Sequence, residues 1–263
     1  MDSQQETPVV QSVSLFFWDN LDRWIRQVRD VPEPFVIALC GPSGSGKTFI
    51  REVLVKQLQQ LRLSRGTSSV SAFTQDNYYR DFEADFPHLP LERFYDEIDF
   101  DDPAHILFRN LSRDLQRIKG QALGSTIRIP RLCFGTPDCK PTILEQDIEL
   151  QVNPFIVTEG IHAFYDPALL PWYDLKIYVD VDEDTRRRRW LERNQRENRG
   201  VTDNMWNTTV RCLHQFILPM RPAADLIINN TAPQAQVERF LQEIIQTMQT
   251  MACPLQATRK DIA

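Results

Sequence analysis

The segment from Gly41 to Thr48 places glycine, lysine and hydroxyl side chains at spacings that suit a bound polyphosphate. Its sequence, G-P-S-G-S-G-K-T, matches the pattern G-x-x-x-x-G-K-[ST] at every fixed position. In such a loop, backbone N–H groups and the N-terminus of the next helix attract phosphate. Lys47 can reach the terminal phosphates, and the Thr48 hydroxyl can ligate Mg²⁺. The residues predicted to contact a nucleotide here are Gly41, Ser43, Gly44, Ser45, Gly46, Lys47 and Thr48.

The segments on either side of this loop support that interpretation. The apolar run from Phe35 to Cys40 predicts a buried strand before the loop, and Ile50 to Leu61 predicts an amphipathic helix after it. The alternative is a Gly/Ser-rich turn that binds nothing, and the strand–loop–helix context disfavours it. The loop alone does not decide whether the phosphate is transferred, hydrolysed or only sensed.

Two carboxylates follow predicted strands in the same way. Asp76 comes after the strand predicted over residues 70–74, and Glu159 comes after the strand over residues 155–158. Ligands gather at the carboxyl ends of parallel strands, and Mg²⁺ prefers a few hard oxygen ligands. Thr48 with Asp76, Glu159 or both would supply them. Asp76 is also the predicted base toward an acceptor hydroxyl, with the capping of a turn as the alternative role.

A cluster of arginines follows Asp184 and Thr185, which are the predicted N-terminus of a helix. Such a stripe is typical of a solvated face or of ion pairs along a helix. Opposite a triphosphate, however, the guanidinium groups would offset developing charge, and a closing lid would exclude water. The arginines that share one helical face by their spacing are Arg186, Arg189, Arg193 and Arg196.

The order of elements predicts the fold class. Further strands are expected over residues 175–181 and 224–228, and helices over 104–119, 184–197, 203–217 and 233–250. This alternation is typical of an α/β fold whose parallel sheet carries helices on both faces. Residues 125–153 predict an irregular hairpin. Residues 82–103 predict an excursion over the site, with a helix over 91–95.

The N-terminal segment predicts an additional helix over residues 11–29. Its aromatic stripe includes Phe17, Trp24 and Val28. Such a stripe usually packs on its own domain, and a docking surface for a partner is the alternative.

The composition limits the class of protein. The 263 residues are 42% hydrophobic and 25% charged, with a net charge of −6, which argues against a general nucleic-acid-binding surface. The five cysteines fit no zinc or redox spacing, as expected of a reduced, cytoplasmic chain. The polar first residues are unlike a signal peptide, and no apolar stretch approaches the length that spans a membrane.

Several segments together resemble the uridine kinase and phosphoribulokinase family of P-loop kinases, in order, from about residue 35 to residue 230. The phosphate loop is one of these segments. The others resemble family motifs such as Q-D-S/N-Y-Y-x-D, F-D-H-P, E-G-I-x-A-F and L-P…A-D-x-I-I. The segments that carry the resemblance are 41–48, 75–81, 100–103, 155–165, 175–186 and 218–228.

The resemblance implies a P-loop NTPase fold: a three-layer sandwich with a mainly five-stranded parallel sheet and a lid, with the predicted N-terminal helix outside the matched core. We therefore expect an N-terminal helical extension (1–32), a kinase domain (33–250, with the lid at about 186–203) and a loose tail (251–263). The implied activity is ATP-dependent phosphorylation of a small-molecule hydroxyl, with ATP and Mg²⁺ as cofactors. No nucleic acid or membrane is expected as a partner, and a homo-oligomer remains open.

The resemblance also implies roles for individual residues. Lys47, Asp76, Arg189 and Arg193 would be catalytic, and the two arginines would also bind nucleotide. Thr48, Glu159 and Asp76 would lie at the metal. The residues expected to contact the acceptor are Asp76, Tyr79, Asp101 and Arg131.

One segment departs from the uridine kinases. Those enzymes read the pyrimidine with the Tyr and His of a P-x-Y-D-F-x-x-H segment, where this chain has Leu132 and Pro137. Arg131 and Lys140 in this region would suit a more acidic acceptor or be plain surface charge. The alternatives are therefore kinases of sugar phosphates, pantothenate-like acids or glycerate-like acids, and a regulatory nucleotide-binding protein.

Overall fold

The computed structural model describes residues 9–13, 33–63, 66–67, 69–133, 139–197 and 201–252. Its main sheet has six strands, which are β1 (Val10–Val13), β2 (Phe35–Cys40), β5 (Val70–Thr74), β10 (Phe155–Gly160), β11 (Leu175–Asp180) and β12 (Leu226–Asn229). Their order across the sheet is β1-β12-β11-β2-β10-β5. Five of them are mutually parallel, and β1 pairs antiparallel with β12.

Short antiparallel pairs lie beside this sheet. They confirm the prediction of an irregular hairpin over residues 125–153, because β6 pairs with β9 and β7 pairs with β8. The remaining strands are β3 (Arg62–Leu63), β4 (Gly66–Thr67), β6 (Thr126–Ile129), β7 (Leu132–Cys133), β8 (Thr142–Ile143) and β9 (Ile148–Gln151).

The helices alternate with the strands, as predicted. The described α-helices are α1 (Lys47–Gln59), α2 (Phe82–Asp85), α3 (Leu91–Glu97), α4 (Phe108–Gly120), α5 (Glu183–Arg196), α6 (Asp203–Cys212) and α7 (Gln234–Ala252). A π-helical turn, Leu213–Ile217, extends α6. The 3₁₀ turns are Gln75–Tyr78, Pro103–His105, Leu170–Trp172 and Leu218–Ala223.

The sheet separates two hydrophobic cores, and β2 contributes to both. Successive side chains of a strand point to opposite faces of the sheet. All six residues of β2 are buried, because both faces are covered. Val36, Ala38 and Cys40 pack on the side of α4. The alternate residues of the strand, Phe35, Ile37 and Leu39, pack on the side of α1 and α7. The three-layer α/β sandwich with a five-stranded parallel sheet is therefore confirmed.

The N-terminal segment differs from its prediction. Residues 10–13 form a strand at the edge of the sheet, so the prediction of a helix beginning at residue 11 is wrong there. Val10 pairs with Ile228 and Val13 pairs with Leu226. This long-range pairing overrides a local helical pattern. The remainder of the predicted helix, with Phe17, Trp24 and Val28, lies outside the described residues. Among the described helices, none is both long enough and apolar enough to cross a membrane.

Candidate active site

The phosphate loop connects β2 to α1 in a conformation that requires glycine. Gly44 and Gly46 have φ angles of 83° and 88°, in the left-handed region that other residues avoid. A Cβ atom on Gly46 would lie 2.2 Å from Nδ2 of Asn230, and one on Gly44 would lie 2.7 Å from the carbonyl oxygen of Arg186. Gly46 is also the N-cap of α1, where no side chain caps the helix. The helix N-terminus is therefore left for an anion.

Lys47 lies folded along this loop. Its Nζ donates hydrogen bonds to the carbonyl oxygens of Gly41 and Pro42, at 2.9 and 3.0 Å. Burial lowers the pKa of the ammonium group below its ordinary value, and the nearby carboxylates of Glu159 and Asp76 oppose that shift. A buried cation beside the loop favours an anionic ligand, because the negative charge replaces the favourable interactions with water that the ammonium group loses on burial.

Thr48 and Glu159 lie together, as the sequence predicted for a metal site. The Thr48 hydroxyl donates to both carboxylate oxygens of Glu159, at 3.1 and 3.2 Å. Arg51, one turn further along α1, forms an ion pair with Glu159 at 2.7 Å and was not predicted. Within the described ranges, no group of three or more His, Cys, Asp or Glu side chains could hold a metal. Two hard oxygen donors nevertheless fit Mg²⁺ bound mainly through phosphate and water.

Asp76 lies in the 3₁₀ turn that directly follows β5. The hydroxyl of Thr74 accepts a hydrogen bond from the Asp76 backbone N–H at 3.2 Å, which caps the turn. The Asp76 side chain lines a cleft of about 570 Å³ that Ser43 and Thr48 also line. The candidate base and the candidate nucleotide-binding loop therefore face the same space.

The far wall of this cleft comes from two segments distant in sequence. Residues 96–101 form one side, and the end of α5 with α6 forms the other. Asp96 accepts a hydrogen bond from the Thr202 hydroxyl at 3.1 Å, and Asp99 accepts one from Arg211 at 2.9 Å, so the two sides are connected. The cleft-lining acids are Asp76, Asp96, Glu97, Asp99, Asp101 and Glu197.

The two arginines predicted to act on phosphate have different placements. Arg193 lines the cleft and donates to the Ser43 hydroxyl at 2.9 Å, so it faces the phosphate loop from α5. Arg189 does not line the cleft. Its guanidinium donates to the carbonyl oxygens of Ser45 and Asn230, at 3.4 and 3.0 Å, and so braces the outside of the loop.

Arg186, on the same face of α5, is buried, with 1% of its surface exposed. Its guanidinium carbon lies 4.3 Å from the ring centroid of Trp206 on α6. Desolvation lowers the pKa of this arginine, and the nearby Glu183 opposes the shift. Stacking on an aromatic face offsets part of the cost of burying the cation. Arg186 therefore holds α5 against α6, which together form one side of the cleft.

The predicted acceptor residues are only partly brought together. Tyr79 and Asp101 line the cleft with Asp76. The Oδ2 atom of Asp101 is buried and has no hydrogen-bond partner among the described residues. Burial, reinforced by the charge of Asp99, raises the pKa of the Asp101 carboxyl to about 6. Arg131 is not among the residues that line the cleft.

The described residues of the segment that departs from the uridine kinases do not line the cleft. Leu132 packs against the core on the side of α4, and Pro137 falls outside the described residues. Lys140 is buried and donates to the carbonyl oxygen of Phe86 at 2.7 Å, which makes it structural. These positions therefore supply no cation to the cleft.

Most of the wall opposite the phosphate loop was not predicted from the sequence. Residues 82–103 were predicted to cross over the site, but no local pattern relates them to α6 more than a hundred positions later. Trp190 and Asn194 on α5 also line the cleft, and the three-residue spacing of Trp190 from Arg193 was an available signal.

Solved structures with a similar fold include two small-molecule kinases. A D-glycerate 3-kinase from Cryptococcus neoformans var. grubii aligns with a TM-score of 0.53 and 13% identity, over 84% of this chain and 97% of that one. A phosphoribulokinase from Rhodobacter spheroides aligns with a TM-score of 0.51 and 14% identity, over 75% of this chain and 70% of that one. Likeness at this identity extends to the fold.

Sequence comparison is more specific. A uridine kinase from Staphylococcus aureus (strain JH9) is 31% identical over 197 residues, which are 73% of this chain and 86% of that protein. A family model described as phosphoribulokinase / uridine kinase matches residues 36–237, from the first strand of the domain to the start of α7. The chain therefore belongs to the phosphoribulokinase / uridine kinase family.

Proposed function

We propose that this protein is an ATP-dependent kinase that transfers the γ-phosphate to a hydroxyl group of an uncharged, polyhydroxylated small molecule. The observation that carries the proposal is that Asp76 and the phosphate-loop residues Ser43 and Thr48 line one cleft of about 570 Å³. A space of this volume is within the usual range for a small ligand. Membership of the family supports phosphoryl transfer.

The nucleotide side of the proposed site is built from the phosphate loop. Lys47 and Arg193 would bind phosphate oxygens, and Thr48 with Glu159 would hold the magnesium ion. When bound, magnesium–ATP supplies the phosphoryl group. Because Arg193 rests on the neutral hydroxyl of Ser43, it can move to an anionic ligand without breaking an ion pair with that residue. Closure of α5 over the loop would exclude water.

The acceptor side is built around Asp76. A carboxylate that contacts the acceptor hydroxyl orients it and takes up its proton as the new bond forms. Arg193 would stabilise charge on the transferred group, whereas the bracing contacts of Arg189 support an indirect part in loop geometry. Asp101 would accept hydrogen bonds from other hydroxyls of the acceptor, because it lines the same cleft as Asp76.

The charge of the cleft supports an uncharged acceptor. Six lining side chains are acidic and two are arginines. Arg211 is paired with Asp99, and Arg193 is assigned to the phosphates of the nucleotide, so neither cation is left for the acceptor. A phosphate or carboxylate on the acceptor would therefore meet repulsion rather than a partner. This disfavours the sugar-phosphate and hydroxy-acid alternatives.

The proposal is tested by measuring ADP formation with a panel of acceptors: uridine, cytidine, D-ribose, ribose 5-phosphate and D-glycerate. Uncharged members should stimulate ADP formation, and the anionic ones should have lower kcat/KM. A Lys47→Ala variant measures the background. The highest kcat/KM for an anionic acceptor would contradict the acceptor class, and ADP formation that no acceptor stimulates would contradict the kinase itself.

A further inference from the structure

Two buried side chains donate to consecutive carbonyl groups of the segment that carries Asp101. The Tyr79 hydroxyl donates to the carbonyl oxygen of Phe100 at 2.7 Å. The Nε2 atom of His162 lies 2.7 Å from the carbonyl oxygen of Asp101. A carbonyl oxygen only accepts, so Nε2 of His162 carries the proton in this contact. The Phe100–Asp101 main chain is therefore held from two directions.

Both donors lie just beyond the carboxyl ends of strands of the main sheet. Tyr79 directly follows the turn after β5, and His162 follows β10. The backbone N–H of His162 donates to the Gln75 side chain at 3.0 Å, in the same turn that carries Asp76. Gln75 and His162 are almost completely buried. A hydrogen-bonded path thus connects the turn of the candidate base to the main chain of Asp101.

The surroundings of His162 keep the ring neutral and fixed. It packs edge-on against Tyr165 and Phe216, with centroid distances of 5.5 and 6.4 Å. Burial lowers the pKa of His162 to about 4, although the carbonyl of Asp101 and the charges of Asp102 and Asp99 oppose that shift and Lys47 reinforces it. A neutral imidazole with one N–H suits a permanent donor better than a titrating one.

We infer that His162 is a positioning residue for the acceptor: its ring, together with Tyr79, fixes the Asp101 main chain and so sets the place of the Asp101 carboxylate at the cleft. His162 does not line the cleft, whereas Asp101 does, so it acts through Asp101. This inference rests on the proposed function, because Asp101 is assigned to the acceptor there. His162 would thus influence the choice of acceptor through Asp101, which neither the phosphate loop nor the base does.

The first test compares His162→Leu with His162→Gln. Leucine removes the donor, and glutamine restores an N–H near the position of Nε2. With the uncharged panel member that gives the fastest ADP formation, His162→Leu should raise the acceptor KM by about tenfold, the scale of one lost hydrogen bond. The KM for ATP should change less than twofold, and His162→Gln should recover most of the loss. An unchanged acceptor KM in folded His162→Leu would overturn the inference.

A double-mutant cycle separates positioning from a general effect on folding. In an Asp101→Asn background, His162→Leu should raise the acceptor KM by less than twofold, since the group through which it acts is already altered. Equal effects in both backgrounds would show that His162 acts elsewhere. If His162→Leu does not fold, Tyr79→Phe is measured in the same cycle, because its hydroxyl holds the neighbouring carbonyl.

A spectroscopic test is independent of turnover. Long-range ¹H–¹⁵N spectra of the full-length protein should show His162 as the Nε2–H tautomer at pH values around 6.5, its ordinary pKa. Titration near that pH, or the Nδ1–H tautomer, would overturn the inference even if the kinase proposal holds. Conversely, if no panel acceptor stimulates ADP formation, the proposed function fails and His162 loses its assigned role, whatever the tautomer.

Discussion

The guanidinium group of Arg193 donates to the hydroxyl of Ser43 across 2.9 Å, which joins α5 to the phosphate loop from inside the cleft. The neighbouring arginine on the same face, Arg189, contacts the loop from outside through main-chain carbonyls. One helix therefore contacts the loop on two sides: Arg193 faces the cleft, and Arg189 supports the loop from behind.

We expect Arg193→Gln to lower kcat by about a hundredfold, the scale for losing one donor to a transition state. Arg188→Gln is the matched control, since Arg188 lies on the same helix but is exposed and does not line the cleft. Steady-state ADP formation at saturating acceptor measures both. Equal losses in the two variants would assign the effect to net charge rather than to the contact with the loop.

Asp76→Asn should preserve ATP affinity and lower turnover by at least about a hundredfold, because the amide cannot take up the acceptor proton. Asp147→Asn is the control, with an exposed carboxylate that lies outside the cleft. Isothermal titration calorimetry gives the ATP affinity, and the rate of ADP formation at saturating acceptor gives kcat. Normal turnover in Asp76→Asn would remove this residue from the mechanism.

The Asp101 carboxyl should give the acceptor KM a dependence on pH. Its pKa is raised from 3.8 to about 6, and only the ionised form accepts hydrogen bonds with both oxygens. We therefore expect the acceptor KM to fall as the pH rises through about 6. Asp101→Asn should abolish that dependence, and a wild-type KM that is constant across this range would contradict the assignment.

The same shift has a consequence for stability with a definite sign. Between pH 3.8 and about 6, the folded state binds the Asp101 proton more tightly than the unfolded state does. The contribution of Asp101 to the free energy of unfolding therefore falls as the pH rises through this window and stays low above it. Urea titrations should show Asp101→Asn gaining more stability over the wild type at pH 7 than at pH 4.

Gly46→Ala should weaken ATP binding by about tenfold or more, since its Cβ would lie 2.2 Å from Nδ2 of Asn230 and the loop must shift. Gly124→Ala provides a close control. Gly124 has a similar φ of 86°, but no atom lies within 4 Å of the added Cβ. The control introduces the backbone strain of a left-handed φ, so it should lose thermal stability but retain its ATP affinity. Equal ATP affinities in the two variants would argue against a tightly held loop.

Much of the fold was predictable because its signals are local. The runs that became β2, β10 and β11 are mostly apolar, as is typical of buried parallel strands, and the helices between them show clear periodicity. The strand at residues 10–13 was not predictable in this way. It is short, and its conformation depends on pairing with β12 at the other end of the chain.

The candidate site likewise contains some residues whose positions local signals predict and others whose positions depend on long-range contacts. The phosphate loop and the turn of Asp76 follow strands, and Glu159 lies within the end of β10 rather than after it, so the order of elements was enough to infer that all three lie at one edge of the sheet. Spacing alone could not separate Arg189 from Arg193, because residues four apart share a helical face. Neither could it reveal the contact of Asp99 with Arg211, which joins residues 112 positions apart.

Asn230, just after the last strand of the sheet, binds the carbonyl oxygen of Ser45 across a separation of 185 residues. The complete motif leaves the ribosome early in synthesis, long before the residue that supports it from behind. The support of the loop is consequently complete only in the finished domain. A nascent chain that stops short of Asn230 would carry every residue of the motif without this hydrogen bond behind it, so we expect the loop to reach its final geometry only after β12 has been synthesised.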